Sequence, residues 1–180
     1  MLSLFKKNTV ENHFKKISIR GRLAFGVKCL EQYIKEKNLE NKHLDKLISV
    51  LWDFTTSENL AEWDNKISDL HPNNIVDKHP DNKASDYKSL TESEFIDLKK
   101  YYSEISDDLF LLIDLIIDIG TTDLYGATGS YSKDTLQSTM RVYQFAQEKM
   151  NEIPNIHKFK ISKFSEKSGW GNKIEKSAFY

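Results

Sequence analysis

Hydrophobic residues recur along this chain at helical spacing, and few stretches alternate as a strand would. The densest run is Ser106–Gly129, SDDLFLLIDLIIDIGTTDLYGATG. Nine of the eleven residues from Leu109 to Ile119 are large aliphatics or Phe, and the other two are Asp114 and Asp118. At about 100° per residue, Asp107, Asp114 and Asp118 fall within about 40° of one another, while apolar side chains cover most of the remaining circumference. The pattern predicts a central helix over about 107–119, packed on nearly all sides, with one narrow acidic seam. Gly120 is expected to end it.

Other helices follow from the same period. One starts after Thr9 and takes in Val10, Phe14 and Ile17. The next, from about Arg20 to Lys37, carries Leu23, Val27, Leu30 and Ile34 at i, i+4, i+7 and i+11. Gly21 and Gly26 inside it cost about 1 kcal/mol each relative to Ala, which suggests a close approach by another helix or a break at Gly21. A turn at Asn38–Asn41 leads to a helix over 42–54, with Leu44, Leu47, Ile48, Leu51 and Trp52 inward. Ser57 is the expected N-cap of a helix with Leu60, Trp63, Ile67 and Leu70 inward, stopped by Pro72. Residues 71–90 are rich in Pro, Asn, Asp and Lys and predict one long loop.

Thr91-Glu92-Ser93-Glu94 is a capping box opening a helix with Phe95, Leu98 and Tyr102 inward. After the central helix and a Gly-containing loop over 121–132, Ser132 is expected to cap a helix of about 133–151. Its inward residues are Leu136, Met140, Tyr143, Ala146 and Met150. The tail is expected to wrap irregularly, burying Phe159, Ile161, Phe164 and Trp170. The reading is one all-α domain over 1–180, a bundle of about six to seven helices around the central apolar helix, with an irregular C-terminal tail.

Composition narrows the class. At 180 residues, with 39% hydrophobic and 29% charged residues, the chain can bury a core without disulfides, and its single Cys29 cannot form an internal one. Met1–Phe5 is apolar but short and is followed, not preceded, by Lys6 and Lys7, unlike a secretory leader. The 109–119 run is too short for a membrane span. A soluble cytoplasmic protein is expected. Net charge is −1, unevenly spread: +6 over residues 1–50, −4 over 51–85, −7 over 86–125, zero over 126–154 and +4 over 155–180. The acidic middle could cancel internally or face a basic partner. With 23 Lys to 3 Arg, the chain is short of the residue that usually makes bidentate phosphate and guanine contacts.

The seam is the leading candidate site. Like charges at i, i+4 are destabilising, and Asp118 lies near a helix C-terminus, where the dipole disfavours an acid. The alternatives are a solvated helix edge, pairing of Asp114 and Asp118 with Arg20, Arg22 or Arg141, or a groove for a cationic partner. Catalysis is poorly supported. Adjacent turns of one helix give two carboxylates similar environments, no Glu-x-x-His pairs are present, and His13, His43, His71, His79 and His157 make no HExxH spacing. Ser130 lacks the nucleophile-elbow context and GATG at 126–129 lacks the phosphate-loop ending. No cofactor, metal or enzymatic activity is expected. The basic tail, Lys158, Lys160, Lys163, Lys167, Lys173 and Lys176 among Phe159, Phe164, Trp170 and Phe179, leaves open a nucleic-acid-binding module. A metal-dependent hydrolase using Asp107, Asp114 and Asp118 is a weaker alternative. Tyr125 and Trp170 sit in Gly-containing loops, where exposed aromatics often anchor protein contacts.

The segments RLAFGVKCLEQYI (22–34), LWDFTTSENLAEWDNKI (51–67), TTDLYGATG (121–129) and FKISKFSEKSGWGNKI (159–174) together resemble small cytosolic immunity proteins of bacterial contact-dependent inhibition and polymorphic toxin systems. The resemblance implies a non-enzymatic protein that binds one cognate toxin C-terminal domain and blocks its active site or substrate path. Many such toxins are nucleases with basic clefts, for which an acidic counter-surface is suited. On that basis the expected partner-binding residues are Asp107, Asp108, Asp114, Asp118, Asp123 and Tyr125, with no membrane partner and no direct nucleic-acid contact.

Overall fold

A computed structural model describes residues 9–77 and 87–180. They form an all-α domain: α1 (residues 9–14), α2 (Ile19–Lys37), α3 (Lys42–Asp53), α4 (Leu60–Ser68), α5 (Glu92–Glu104), α6 (Asp107–Thr121) and α7 (Lys133–Lys149). No β-strand occurs among the described residues beyond a lone antiparallel bridge between Ile17 and Lys163. The tail is irregular, with short 3-10 turns at Ile156–Ile161, Lys167–Gly169 and Lys176–Phe179.

α6 is central, as its apolar circumference dictates, but it shares the centre with α2. The core is built where α2, α6 and α7 pack on one another. α2 buries residues on every side, among them Leu23, Phe25, Val27, Leu30, Arg20 and Arg22. Gly26 brings α2 and α6 together: a Cβ there would lie 3.0 Å from Ile116 Cγ1. Ser18 caps α2, its Oγ accepting from Gly21 N at 3.2 Å, and Asn38 ends it in the left-handed region at φ 53°.

Several boundaries differ from expectation. Asn59, not Ser57, caps α4, its Oδ1 accepting from Glu62 N at 3.1 Å. Ser57 instead closes the turn after α3, where Arg20 donates to the carbonyls of Phe54 and Ser57. Gly120 lies inside α6, not beyond its end, because Trp63 sits against the position a Cβ would fill. The expected loop over 71–90 contains a π-helical turn, Asn73–Asp77, and residues 78–86, with His79 among them, lie outside the described residues. In the tail Phe159 is buried, Phe164 and Trp170 are half-buried, and Ile161 is exposed; Phe179 is buried in its place, stacked on Phe159 at 5.6 Å. The capping box forms as read: Thr91 Oγ1 accepts from Glu94 N, and the Glu94 carboxylate accepts from Thr91 N.

Candidate functional site

The acidic seam stands on the side of α6 that the described core leaves open. Asp107, Leu111, Asp114 and Asp118 follow one another at spacings of four, three and four, a single helical stripe. Asp107 and Leu111 are exposed, Leu111 by 40%, and Asp114 and Asp118 are half-buried. The rest of the helix (Leu109, Leu112, Ile113, Leu115, Ile116, Ile117 and Ile119) is buried, which fixes the stripe's direction.

The acids on and beside the stripe differ electrostatically. Asp107 forms no ion pair with any described residue. Asp108, half-buried beside the stripe, pairs with Lys149 of α7 at 2.9 Å. Asp114 accepts a hydrogen bond from Asn73 Nδ2 at 2.7 Å and lies 3.4 Å from His71 Nε2. Asp118 has its carboxyl held above the usual range, first by burial, then by repulsion from Asp114, with Arg141 only partly offsetting both. Arg141 is exposed and within 4 Å of neither acid.

No arginine pairs with the seam. Arg20 is spent on the Phe54 and Ser57 carbonyls. Arg22, fully buried, donates from Nε to Phe14 O at 3.0 Å, from Nη1 to Ser132 O at 3.0 Å and Thr135 Oγ1 at 2.8 Å, and from Nη2 to Tyr131 O at 2.8 Å. Burial lowers its pKa to about 10 despite the opposing charge of Asp123. Asp123 was expected at the surface and is a correction. It is 8% exposed, accepts from Ser132 Oγ, and belongs to the Arg22 network. Ser132 is consequently not a side-chain cap for α7; its hydroxyl faces Asp123 and Thr135. Of the three alternatives for the seam, Arg pairing is not made at Asp114 or Asp118; the acid whose charge acts on a buried arginine is Asp123, linked to Arg22 through Ser132.

That network anchors both ends of the 122–132 loop and leaves its middle outside. Tyr125 projects with 79% of its surface exposed and donates its hydroxyl to Asp64 Oδ2 of α4 at 3.0 Å. A groove of about 980 Å³ runs along α7 beside α1, floored by Leu136, Met140 and Tyr143, with Arg141 on its rim. Among the described residues, no three His, Cys, Asp or Glu side chains gather as metal ligands would. Cys29 is fully buried and its thiol pushed up by desolvation, so it is no nucleophile in the native state.

Sequence reading singled out Asp107, Asp114 and Asp118 correctly as sharing one face, and missed their neighbours. His71 and Asn73 come from the segment read as one long loop, 43 and 41 positions from Asp114, and Asp64 reaches Tyr125 across 61. No local spacing signals contacts of that kind. No family model matches the chain, and comparisons with curated proteins and with solved structures likewise return no match. No helix among the described residues is long and apolar enough to cross a membrane.

Proposed function

We propose that this chain is an immunity-type binding protein that neutralises a cognate toxin C-terminal domain, with the exposed stripe of α6 and Tyr125 as its contact face. The observation that carries this reading is the stripe itself. A helix otherwise enclosed by core presents Asp107, Leu111, Asp114 and Asp118 outward, and neither Asp107 nor Asp118 is neutralised by a described cation. Retaining uncompensated acids on one face costs stability, and a basic partner surface would recover that cost on binding. Leu111 and Tyr125 supply the apolar and aromatic contact that charge alone lacks. The resemblance in the α2, α3–α4, 121–129 and tail segments supports the same class. A nuclease is the toxin activity best suited to an acidic face. The site is cytoplasmic and uses no cofactor in this reading.

The test is co-expression with the C-terminal domain encoded by the adjacent upstream reading frame, followed by pull-down and a viability assay. A stoichiometric complex that abolishes toxicity is expected. A non-toxic neighbour that fails to co-purify would sink the function. Placement is tested separately. Asp107→Lys with Leu111→Lys should slow association at least tenfold and flatten its salt dependence; unchanged kinetics in a folded variant would move the contact face elsewhere.

A further inference from the structure

Two basic stretches, one early and one late in the chain, meet at one place. Residues 13–16 read His-Phe-Lys-Lys and residues 157–160 read His-Lys-Phe-Lys, each a His followed three positions later by a Lys. Both adopt one tight turn: Lys16 N donates to His13 O at 3.1 Å, and His157–Lys160 lies within the 3-10 helix Ile156–Ile161. Side chains three apart in such a turn leave the backbone on the same side, so each His shares a side with its own Lys. Each turn is nailed down by a buried Phe. Phe14 and Phe159 both meet the ring of Phe25 edge-on, at 4.9 and 5.4 Å.

The two turns are then locked side by side. Phe164 N donates to Lys16 O at 2.9 Å, Ile17 bridges Lys163, and Ser18 N donates to Ser162 O at 2.9 Å. The result sets the His13 and His157 rings 5.1 Å apart at 62°. His13 is half-buried and His157 exposed, so the pair opens to solvent.

We propose that His13, Lys16, His157 and Lys160 form a binding site for a phosphate group. The two segments bring the imidazoles into contact and place Lys16 and Lys160 near enough to act on His13, and among the described residues no acid lies with those charges. Burial first, and then the charges of Lys160, His157 and Lys16, hold its pKa below the usual value. The nearest acid on α1, Glu11, is engaged with Lys15 at 2.8 Å, and Glu166 in the tail turns to Lys163 N. A cationic cluster without a counter-charge is what a compact oxyanion relieves. Lysine and imidazole are point donors, suited to the several oxygens of a phosphate rather than to the planar fork of a carboxylate. A transition metal fits less well, because Lys16 and Lys160 add positive charge beside the imidazoles. The site is independent of α6 and of the toxin-binding reading. The phosphate group could belong to a free phosphate or to a nucleic-acid backbone, and the same four donors would serve either.

The experiment is a titration of the full-length protein, followed through the imidazole Cε1–H signals in NMR, with three probes: inorganic phosphate, a short single-stranded RNA and zinc ions. Phosphate is expected to shift both His signals saturably and to raise the apparent pKa of His13, since an anion favours its charged form. Lys16→Ala with Lys160→Ala should weaken binding at least tenfold while the near-UV spectrum stays unchanged. RNA binding tighter than phosphate, falling steeply with salt and lost in the same variant, identifies a nucleic-acid backbone as the source. RNA binding no tighter than phosphate identifies a free phosphate. No response to either probe, equal binding in the folded variant, or saturable zinc binding without a phosphate response overturns the proposal.

Discussion

Arg22 is a cation sealed from water and held by four acceptors from α1, the 122–132 loop and α7, with Asp123 supplying the counter-charge. Removing one partner of a buried charge network leaves the others uncompensated, which costs roughly 3–5 kcal/mol. Arg22→Met is expected to lower unfolding stability by about that amount in urea denaturation. A single ammonium cannot span the same acceptors, so Arg22→Lys should rescue little of it. Pairing Arg22→Met with Asp123→Asn should recover part of the loss, because the orphaned carboxylate goes with its cation. A loss below about 1 kcal/mol in the single variant would mean that water enters and replaces the guanidinium.

Helices 4 and 6 meet at a position with no side chain. A Cβ on Gly120 would lie 2.6 Å from Trp63 Cη2 and 2.8 Å from Leu23 Cδ1. Trp63 has little room to retreat: its Nε1 donates to Val50 O at 2.7 Å and its ring meets Phe54 edge-on at 4.6 Å. Gly→Ala within a helix gains about 1 kcal/mol of propensity, but overpacking a core costs about 1–3 kcal/mol. Gly120→Ala should therefore lower Tm in a thermal melt; a raised Tm would show that the indole shifts freely. The sequence marks this glycine, but not its use, because the partner that excludes a Cβ belongs to another helix.

The same division runs through the other elements. The Leu23–Val27–Leu30–Ile34 stripe and the Thr91–Glu94 box are legible because both halves of each interaction lie within one or a few turns. Ser57 and Asn59 are both good caps, and what selects Asn59 is Arg20 of α2 gripping the Ser57 carbonyl from 37 positions away. Asp123 read as a surface acid because its loop is polar, and its partners Arg22 and Ser132 could be chosen only once α2 and α7 were packed together. Of the candidate site, the α6 stripe was therefore visible beforehand, and the cations and amides around it were not.

Across the whole molecule, the first and last thirds of the chain are closed by one seam, in which Ser18 and Ser162 touch through their hydroxyls at 2.5 Å, 144 positions apart. Phe159 is its apolar anchor, buried against Phe25 and Phe179. Phe159→Ala is expected to cost about 3–5 kcal/mol. Nearly all of that should fall on the unfolding rate in a chevron measurement, because a contact of such long range is absent from the folding transition state. A comparable slowing of folding would place the seam in the nucleus instead.

That late closure gives the paired histidine turns a place in time. α6 and α7 are neighbours in sequence, joined by the 122–132 loop, and can find each other early, whereas His13 and His157 become adjacent only when the early and late stretches that carry them have docked. Any anion held between them would grip the native state alone and stabilise it by mass action. Its effect would be to delay reopening without hastening assembly, so the cluster acts as a clasp fastened after the fold is made.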